Sequence, residues 1–325
     1  MRCGRAAHAT VIASEAKQSS GLRRRRCEYC GRMSVMMETM KKRVLVTGAS
    51  GYIGRHVVRE LLGRGFSVCA NDVRADSENP GAEFSDTDIF SGDPGIYEAF
   101  ERPDALIHLA WEQGFVHGSP THMERLSAHY TFLKDMAEGG LADLAVMGSM
   151  HEVGFWEGPV EADTPCRPLS LYGVSKNALR QAMFIEAKRL GFFLYWLRGY
   201  YIYGDDARGS SIFAKLTQAA TEGKKEFPFT TGQNKYDFIH ISELARQIVS
   251  AATQRLRGAD KPVTGVINTC SGRPVTLAEQ VEAFIRDRGF DITLKYGAFP
   301  DRPYDSKAIW GDDSLIRKIL EADPL

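Results

Sequence analysis

The sequence predicts an α/β protein in which helices cover both faces of a doubly wound parallel sheet, with a smaller C-terminal lobe. The first observation is an apolar, β-branched run at Val44–Val46, which is typical of a strand buried within a parallel sheet. A glycine-rich turn at Thr47–Gly54 follows, and apolar residues at helical spacing continue to Leu62. A second apolar run, Phe66–Ala70, completes a strand–helix–strand unit. Units of this kind pair their strands in parallel.

The alternation of strands and helices continues beyond this unit. The patterns predict strands at Glu83–Ser85, Pro103–Ala110 and Leu144–Met147, and helices at Ile96–Phe100, 121–138 and Tyr172–Leu190. Alternation over so many segments indicates one parallel sheet with helices on both sides.

The length of the chain leaves room for a second part. Its 325 residues correspond to two domains at about 150 residues each. We expect residues 41–198 and about 235–270 to form the first domain, and residues about 199–234 and 271–325 to form the smaller lobe. The cleft between the two parts is then the expected place of the site.

Composition and charge exclude several classes of protein. Hydrophobic residues make up 43% and charged residues 25% of the chain, and no apolar run approaches the ~18 residues that span a bilayer. The net charge is zero, but residues 1–40 carry eight basic and three acidic residues, so the remainder is mildly acidic. A mildly acidic protein lacks the basic surface that binds nucleic acid, so we expect no nucleic-acid partner. The widely spaced Cys69, Cys166 and Cys270 fit a reducing cytoplasm, where we expect the protein to be.

The first forty residues differ from the rest. They have an Arg run at Arg23–Arg26 and no sustained hydrophobic period. A secretory signal needs an apolar stretch after the basic one, and none follows. Cys27 and Cys30 form a single CxxC, whereas a structural zinc site needs four ligands. We expect residues 1–40 to be a disordered leader, or translated intergenic sequence before a true start at Met33, Met36, Met37 or Met40.

The glycine-rich turn predicts a phosphate site. Gly48, Gly51 and Gly54 allow a tight turn and a close approach of the backbone to a pyrophosphate, whose charge the helix N-terminus favours. Asp72 ends the second strand, where a carboxylate binds a ribose 2′-hydroxyl and repels a 2′-phosphate. This predicts NAD as the cofactor, although the nearby Arg74 leaves NADP possible.

A second set of residues predicts proton chemistry. Tyr172 and Lys176 are at positions i and i+4 of a predicted helix and therefore share one face. A neighbouring ammonium lowers the pKa of a phenol by favouring the phenolate, which suits proton exchange with an alcohol or carbonyl. Ser149 follows a predicted strand at the edge of the sheet where ligands bind, and its hydroxyl can orient the reacting oxygen.

At these residues the chain resembles the extended short-chain dehydrogenase/reductase family, the group of sugar-nucleotide epimerases, dehydratases and reductases with a Rossmann domain. The resemblance covers roughly residues 42–320. It rests on the motifs Thr-Gly-x-x-Gly-x-x-Gly at 47–54, Asp72, Asp88-Ile89, His108-Leu109-Ala110, Ser149, Tyr-x-x-x-Lys at 172–176, Leu197-Arg198, Tyr203-Gly204, Tyr236-Asp237-Phe238, Asn268 and Ser271-Gly272.

The family implies a role for each of these positions. Tyr172 is implied as the catalytic acid/base, Lys176 as its partner on the nicotinamide ribose, and Ser149 as a catalytic contact to the substrate. The implied cofactor contacts are Gly48, Ser50, Gly51, Tyr52, Ile53, Gly54, Asp72, Asp88, Ile89, Leu109, Ala110, Tyr172 and Lys176. The family also implies a homodimer, formed through the helix around 121–138 and the helix that starts at Tyr172.

The chain departs from the family pattern at the substrate. Family 4,6-dehydratases follow the catalytic Ser or Thr with Asp-Glu, whereas Met150 and His151 follow Ser149, which argues against dehydration. Tyr201 stands where most members have an Asn that contacts the nucleotide diphosphate. The predicted substrate contacts are Ser149, Met150, His151, Tyr201, Lys235 and Arg302.

The sequence leaves two activities open. Reduction of a 4-keto nucleotide sugar and 4-epimerisation through a transient ketone need the same Tyr, Lys and Ser. A catalytically silent NAD(P)-binding regulator of the same fold is the alternative, which the joint presence of Tyr172 and Lys176 disfavours. No histidine shows metal-ligand spacing, so no metal is expected; we interpret His108 as a core residue and His117, His122 and His129 as loop or surface residues.

Overall fold

A seven-stranded, wholly parallel sheet forms the centre of the computed structural model, which describes residues 41–204, 211–300 and 306–323. Its strands are β1 (Arg43–Thr47), β2 (Ser67–Asn71), β3 (Glu83–Ser85), β4 (Ala105–His108), β5 (Asp143–Ser149), β7 (Phe193–Gly199) and β11 (Gly265–Thr269). They lie in the order β11-β7-β5-β4-β1-β2-β3. The strand order reverses beside β1, and this is where parallel sheets bind ligands.

Helices cover both faces of this sheet, which confirms the predicted fold class. The helices are α1 (Gly54–Gly63), α2 (Ile96–Ala99), α3 (Thr121–Glu124), α4 (Leu126–Gly139), α5 (Leu171–Leu190), α6 (Ile212–Thr221), α7 (Ile241–Ala252), α8 (Leu277–Arg288) and α9 (Ser314–Glu321). Alternating residues of β1 enter two different cores. Val44 and Val46 pack with α1, α7 and α9, whereas Leu45 packs with α2, α4 and α5.

A second, mixed sheet lies in the C-terminal part. It contains β6 (Gly158–Val160), β8 (Tyr201–Tyr203), β10 (Lys235–His240), β12 (Pro274–Thr276) and β14 (Ala308–Gly311). A two-stranded parallel pair, β9 (Glu226–Pro228) with β13 (Thr293–Lys295), lies apart from it. β6 and β10 fall in ranges that we assigned to the first domain, yet both pair in this second sheet. The exact domain boundaries stay a prediction.

The predicted helix at 121–138 is two helices in the structure. α3 ends at Glu124, and Arg125, with φ −89° and ψ −9°, separates it from α4. His122 of α3 accepts a hydrogen bond from the indole Nε1 of Trp111, and His129 of α4 stacks on the same indole. Both helices thus contact the same side chain, Trp111.

Candidate active site

The glycine-rich turn lies at the carboxyl end of β1 and has no room for side chains at two of its glycines. Gly48 has φ +69°, and a Cβ on it would lie 2.7 Å from the amide nitrogen of Ala110. A Cβ on Gly54 would lie 2.1 Å from the carbonyl oxygen of Gly48. No side chain caps α1 at Ile53. The turn thus exposes backbone N–H groups and a helix N-terminus, which together favour binding of a pyrophosphate.

Asp72 lies beside this turn, as the sequence predicts. Its carboxylate accepts hydrogen bonds from the backbone nitrogen of Ser50 at 2.9 Å and from that of Val73 at 2.7 Å. A carboxylate has about four acceptor positions, so it can still bind ribose hydroxyls. The glycine-rich turn and the Asp72 carboxylate are therefore suited to binding a dinucleotide such as NAD.

The other predicted cofactor contacts lie at the same edge of the sheet. Leu109 directly follows β4, and its backbone nitrogen donates to the carbonyl of Thr47 at 3.1 Å. Asp88 accepts from the backbone nitrogen of Phe90 at 2.9 Å, and Ile89 is buried. Asp88 and Ile89 follow β3, and Leu109 follows β4. In the sheet, β3 and β4 flank the pair of strands β1 and β2.

The three predicted catalytic side chains lie close together. Tyr172 is in the first turn of α5, where the hydroxyl of Ser170 caps the helix by accepting from the Gly173 amide at 3.2 Å. Ser149 is the last residue of β5, and its side chain lies close enough to that of Tyr172 to lower the pKa of the phenol. The Nζ atom of Lys176 lies 6.0 Å from the centroid of the Tyr172 ring.

The ionisation of the phenol differs from the expectation. Burial raises the pKa of Tyr172 to about 12, although the hydrogen bond with Ser149 opposes the rise. Burial also lowers the pKa of Lys176 to about 7, and the carboxylate of Glu152 opposes that shift. Lys176 donates to the carbonyl of Met147 at 2.8 Å instead of to the phenol. In this arrangement the ammonium therefore does not lower the pKa of the phenol.

Glu152 lies beneath Ser149 and is fully buried. Its carboxylate accepts from the backbone nitrogen of Ser149 at 2.7 Å and from Trp196 Nε1 at 3.0 Å. Burial raises the pKa of this carboxyl, and the guanidinium groups of Arg198 and Arg180 oppose the rise. Glu152 is not among the predicted site residues, although Ser149 and Glu152 have the Ser-x-x-Glu spacing of a capping box, which the structure forms.

A cluster of rings that the sequence did not reveal surrounds Tyr172. The ring of His117 stacks on the phenol at 5.1 Å and 11°, and His151 lies 4.2 Å from His117. His122 and His129 are only 1% and 2% exposed, so their assignment to loops or the surface is wrong. They were missed because no local pattern shows that α3 and α4 turn these residues towards α5.

Two other histidine assignments agree with the structure. His108 is 1% exposed and hydrogen-bonds Thr47 at 2.8 Å and His129 at 2.9 Å, as expected of a core residue. His117 lies in the loop between β4 and α3.

The predicted substrate contacts lie in two places. Met150 is buried and His151 lies beside Tyr172, at a ring distance of 6.0 Å. Tyr201 packs against Tyr236 at 4.3 Å on the second sheet, and the backbone nitrogen of Lys235 donates to Lys307. Arg302 lies outside the described residues, as do the leader 1–40 and the Cys27–Cys30 pair. The roles of all these residues stay predictions.

The described ranges contain neither a helix that is long and apolar enough to span a bilayer nor a group of three or more His, Cys, Asp or Glu residues that could hold a metal ion.

Comparisons with known proteins agree with this geometry. A dTDP-6-deoxy-L-talose 4-dehydrogenase (NAD(+)) of Aggregatibacter actinomycetemcomitans is 42% identical over 277 residues, which are 82% of this chain and 98% of that protein. A dTDP-6-deoxy-L-talose 4-dehydrogenase (NAD(P)(+)) of Kitasatospora kifunensis is 26% identical over 282 residues, or 81% of this chain and 84% of that protein. The fold is similar to that of the UDP-glucose 4-epimerase of Brucella ovis in complex with NAD, with a TM-score of 0.75, 20% identity, and coverage of 86% of this chain and 92% of that one.

The family assignment follows from the extent of these matches. The sequence model of the NAD dependent epimerase/dehydratase family matches residues 44–267, which is more than half of the chain. This match confirms the predicted enzyme family and its NAD dependence. With its glycine turn, its Asp72 and its Ser149, Tyr172 and Lys176 at one edge of the sheet, the chain belongs to the NAD dependent epimerase/dehydratase family.

Proposed function

We propose that the enzyme interconverts a hydroxyl and a ketone at C4 of a dTDP-activated 6-deoxy sugar, with NAD as the redox partner. The single observation that carries this proposal is that the side chains of Ser149, Tyr172 and Lys176 lie together, as the sequence predicts for an acid/base site. Lys176 lies one turn further along the same helix, and all three side chains lie at the edge of the sheet that carries the glycine turn.

The class of this activity is the one that the sequence predicts. NAD-dependent oxidoreduction of a nucleotide-activated sugar agrees with the family match and with the relative that is 42% identical. The finer part of the proposal is that the reaction takes place at C4 of the sugar and is a net oxidation or reduction. This part is supported by the name of that relative, a 4-dehydrogenase, because the chain spans 98% of its length.

The chemistry assigned to the chain is proton transfer. NAD, when bound, supplies the hydride acceptor of the oxidation, and NADH the hydride donor of the reverse reduction. Tyr172 takes the proton of the C4 hydroxyl on its phenolic oxygen during oxidation and returns it to the ketone oxygen during reduction. The hydroxyl of Ser149, which lies beside the phenol, orients the reacting oxygen. A proton acceptor within hydrogen-bond reach is what this reaction needs.

Burial of the phenol has a consequence for this step. A pKa of about 12 means that Tyr172 is protonated at neutral pH in the arrangement described here. A protonated phenol is ready to donate to a ketone, so the reduction direction starts from the form that is already present. The oxidation direction requires an interaction that favours the phenolate, which Lys176 does not supply while it donates to Met147.

We also propose that the enzyme acts as a cytoplasmic homodimer through α4 and α5. The apolar side chain of Ile185 on α5 is 68% exposed. Replacing it with Glu should shift the protein from dimer to monomer in light scattering of the purified chain. An unchanged mass would remove α5 from the interface.

The proposed activity is tested with purified enzyme, dTDP-6-deoxy-L-talose and NAD. We expect one NADH for each 4-keto product, and a loss of about 10²–10⁴-fold in turnover for Tyr172→Phe. Calorimetry should show unchanged NAD binding by this variant. Tyr296→Phe is the matched control, since its exposed hydroxyl bonds Glu282 in the C-terminal part.

Three results would contradict the proposal, each in a different way. Full activity of Tyr172→Phe would refute the proton-transfer role. A new sugar epimer without net use of NAD would indicate a 4-epimerase. NAD binding without turnover of any dTDP-, UDP- or GDP-sugar would favour the regulatory alternative.

A further inference from the structure

We propose that Trp111 is a positioning residue that holds the ammonium of Lys176 over its indole ring, beside the phenol of Tyr172. The Nζ atom of Lys176 lies 3.6 Å from the centroid of the Trp111 ring. Neither the sequence patterns nor the family match assigns this residue a role.

The ammonium is in a place where such an interaction matters. Lys176 is only 3% exposed, and water therefore contributes little to solvating its charge. The backbone carbonyl of Met147 accepts one of its three hydrogen bonds at 2.8 Å. Indole is the aromatic ring that attracts a cation most strongly, and the attraction is largest when the cation is desolvated. The face of Trp111 thus replaces part of the lost hydration.

The indole is itself held from two sides. Its Nε1 atom donates to Nδ1 of His122 at 3.1 Å. Its ring stacks on His129 at a centroid distance of 4.4 Å and an angle of 17°. His129 is in turn hydrogen-bonded to His108 of β4 at 2.9 Å. Trp111 is therefore fixed to the sheet and to two helices, and the ammonium above it is fixed as well.

The same indole also borders the phenol. The rings of Trp111 and Tyr172 meet edge to face at 6.2 Å and 76°. One side chain therefore borders both members of the Tyr172–Lys176 pair. A residue without an aromatic ring at position 111 could fill the same space, but it would lose the attraction for the Lys176 ammonium.

The charge state of Lys176 depends on all the groups that face it. Among the described residues these are Glu152, whose carboxylate raises its pKa, the phenol of Tyr172, and His108 and His129, whose own pKa values the ammonium lowers. Burial brings the pKa of Lys176 to about 7. Both forms are therefore present near neutral pH, and a π face that favours the ammonium changes their ratio.

The test uses the free protein and requires no substrate. Indole emission is followed between about pH 5 and pH 9 in the wild type, Trp111→Phe, Lys176→Met and Trp310→Phe. Loss of the ammonium from the face of Trp111 changes the emission of that indole, so the wild type should show a step near the pKa of Lys176, about 7. Trp310→Phe, the control on β14, should keep the step, whereas the other two variants should lose it.

An isosteric probe separates the charge interaction from packing. Fluorinated tryptophan has the shape of the natural residue but a weaker negative face, so its incorporation should lower the midpoint of the step by about half a pH unit. The same labelling of Trp111→Phe should give no step. A step that survives Trp111→Phe or Lys176→Met, its absence from the wild type, or an unshifted midpoint would each overturn the proposal.

A turnover measurement adds the functional consequence and rests on the proposed function. In Trp111→Leu, which has no π face, we expect a roughly tenfold lower kcat with an unchanged KM for the sugar, because the variant misplaces Lys176 and leaves the substrate contacts intact. An equal kcat would overturn the positioning role. The emission titration stays interpretable even if the dTDP-sugar is not the substrate, so the two proposals fail separately.

Discussion

The backbone nitrogen of Ser149 donates to Oε1 of Glu152 at 2.7 Å, and the indole of Trp196 donates to both oxygens of the same carboxylate at 3.0 Å. The carboxylate is fully buried. It therefore fixes the backbone that carries the Ser149 hydroxyl, which lies beside the side chain of Tyr172. Glu152 acts on the candidate site through Ser149.

We predict that Glu152→Gln lowers both stability and turnover. The amide keeps one acceptor for Ser149 but turns a donor towards Trp196, and it removes the charge that faces the fully buried Arg198. Leaving buried partners unsatisfied costs about 1–3 kcal/mol. Urea unfolding at pH 7 should show this loss, and turnover should fall about tenfold.

The control for this variant is Glu157→Gln. The carboxylate of Glu157 is exposed and accepts from the backbone nitrogens of Lys307 and Ala308. The Glu157→Gln variant should retain wild-type turnover. If Glu152→Gln were as active and as stable as Glu157→Gln, the carboxylate would have no part in holding Ser149.

The two ends of α1 provide a second prediction. A Cβ at Gly54 meets the carbonyl oxygen of Gly48 at 2.1 Å, whereas a Cβ at Gly63 meets nothing within 4 Å. Gly54→Ala should therefore displace the glycine turn and abolish NAD binding. Gly63→Ala should bind NAD normally and gain about 0.5–1 kcal/mol, because alanine is the better helix former.

Calorimetric NAD titration and thermal unfolding of both variants provide the measurement. Tight NAD binding by Gly54→Ala would show that the turn tolerates displacement, and the steric reason given for this glycine would then be wrong. Equal effects of the two substitutions would point to a general helix effect instead.

The sequence predicts the parts of the site that depend on local spacing. The turn at 47–54 and the i, i+4 pair Tyr172 and Lys176 lie within one element or at its end, so residue spacing alone places them. The structure brings Ser149 to Tyr172 because β5 ends beside the start of α5. The family implied these same residues.

The parts that the sequence could not reveal depend on contacts between distant elements. Trp111 and His129 meet only because the chain after β4 folds against α4. The ammonium of Lys176 turns to Met147 because of burial and a nearby carbonyl, which helical spacing does not describe. The second sheet escaped prediction for a similar reason, since strands of three residues such as β6 and β12 carry almost no periodicity.

The buried histidines lead to a prediction about stability in acid. Burial lowers the pKa of His129 to about 3 and that of His108 well below its usual value. Below about pH 6.5 the unfolded chain binds protons at these histidines and the folded chain does not. The free energy of unfolding therefore falls as the pH falls from about 6.5 towards 4, by up to about 1.4 kcal/mol per pH unit for each histidine.

His129→Leu should flatten this dependence. The variant loses its stack on Trp111 and is less stable at pH 7, but it has one titrating group fewer, so its unfolding free energy should fall by up to about 1.4 kcal/mol less per pH unit. Urea unfolding at pH 6.5, 6 and 5 measures the slopes for His129→Leu and the wild type. Equal slopes for His129→Leu and the wild type would mean that His129 is already protonated in the folded protein, which its burial beside the ammonium of Lys176 opposes.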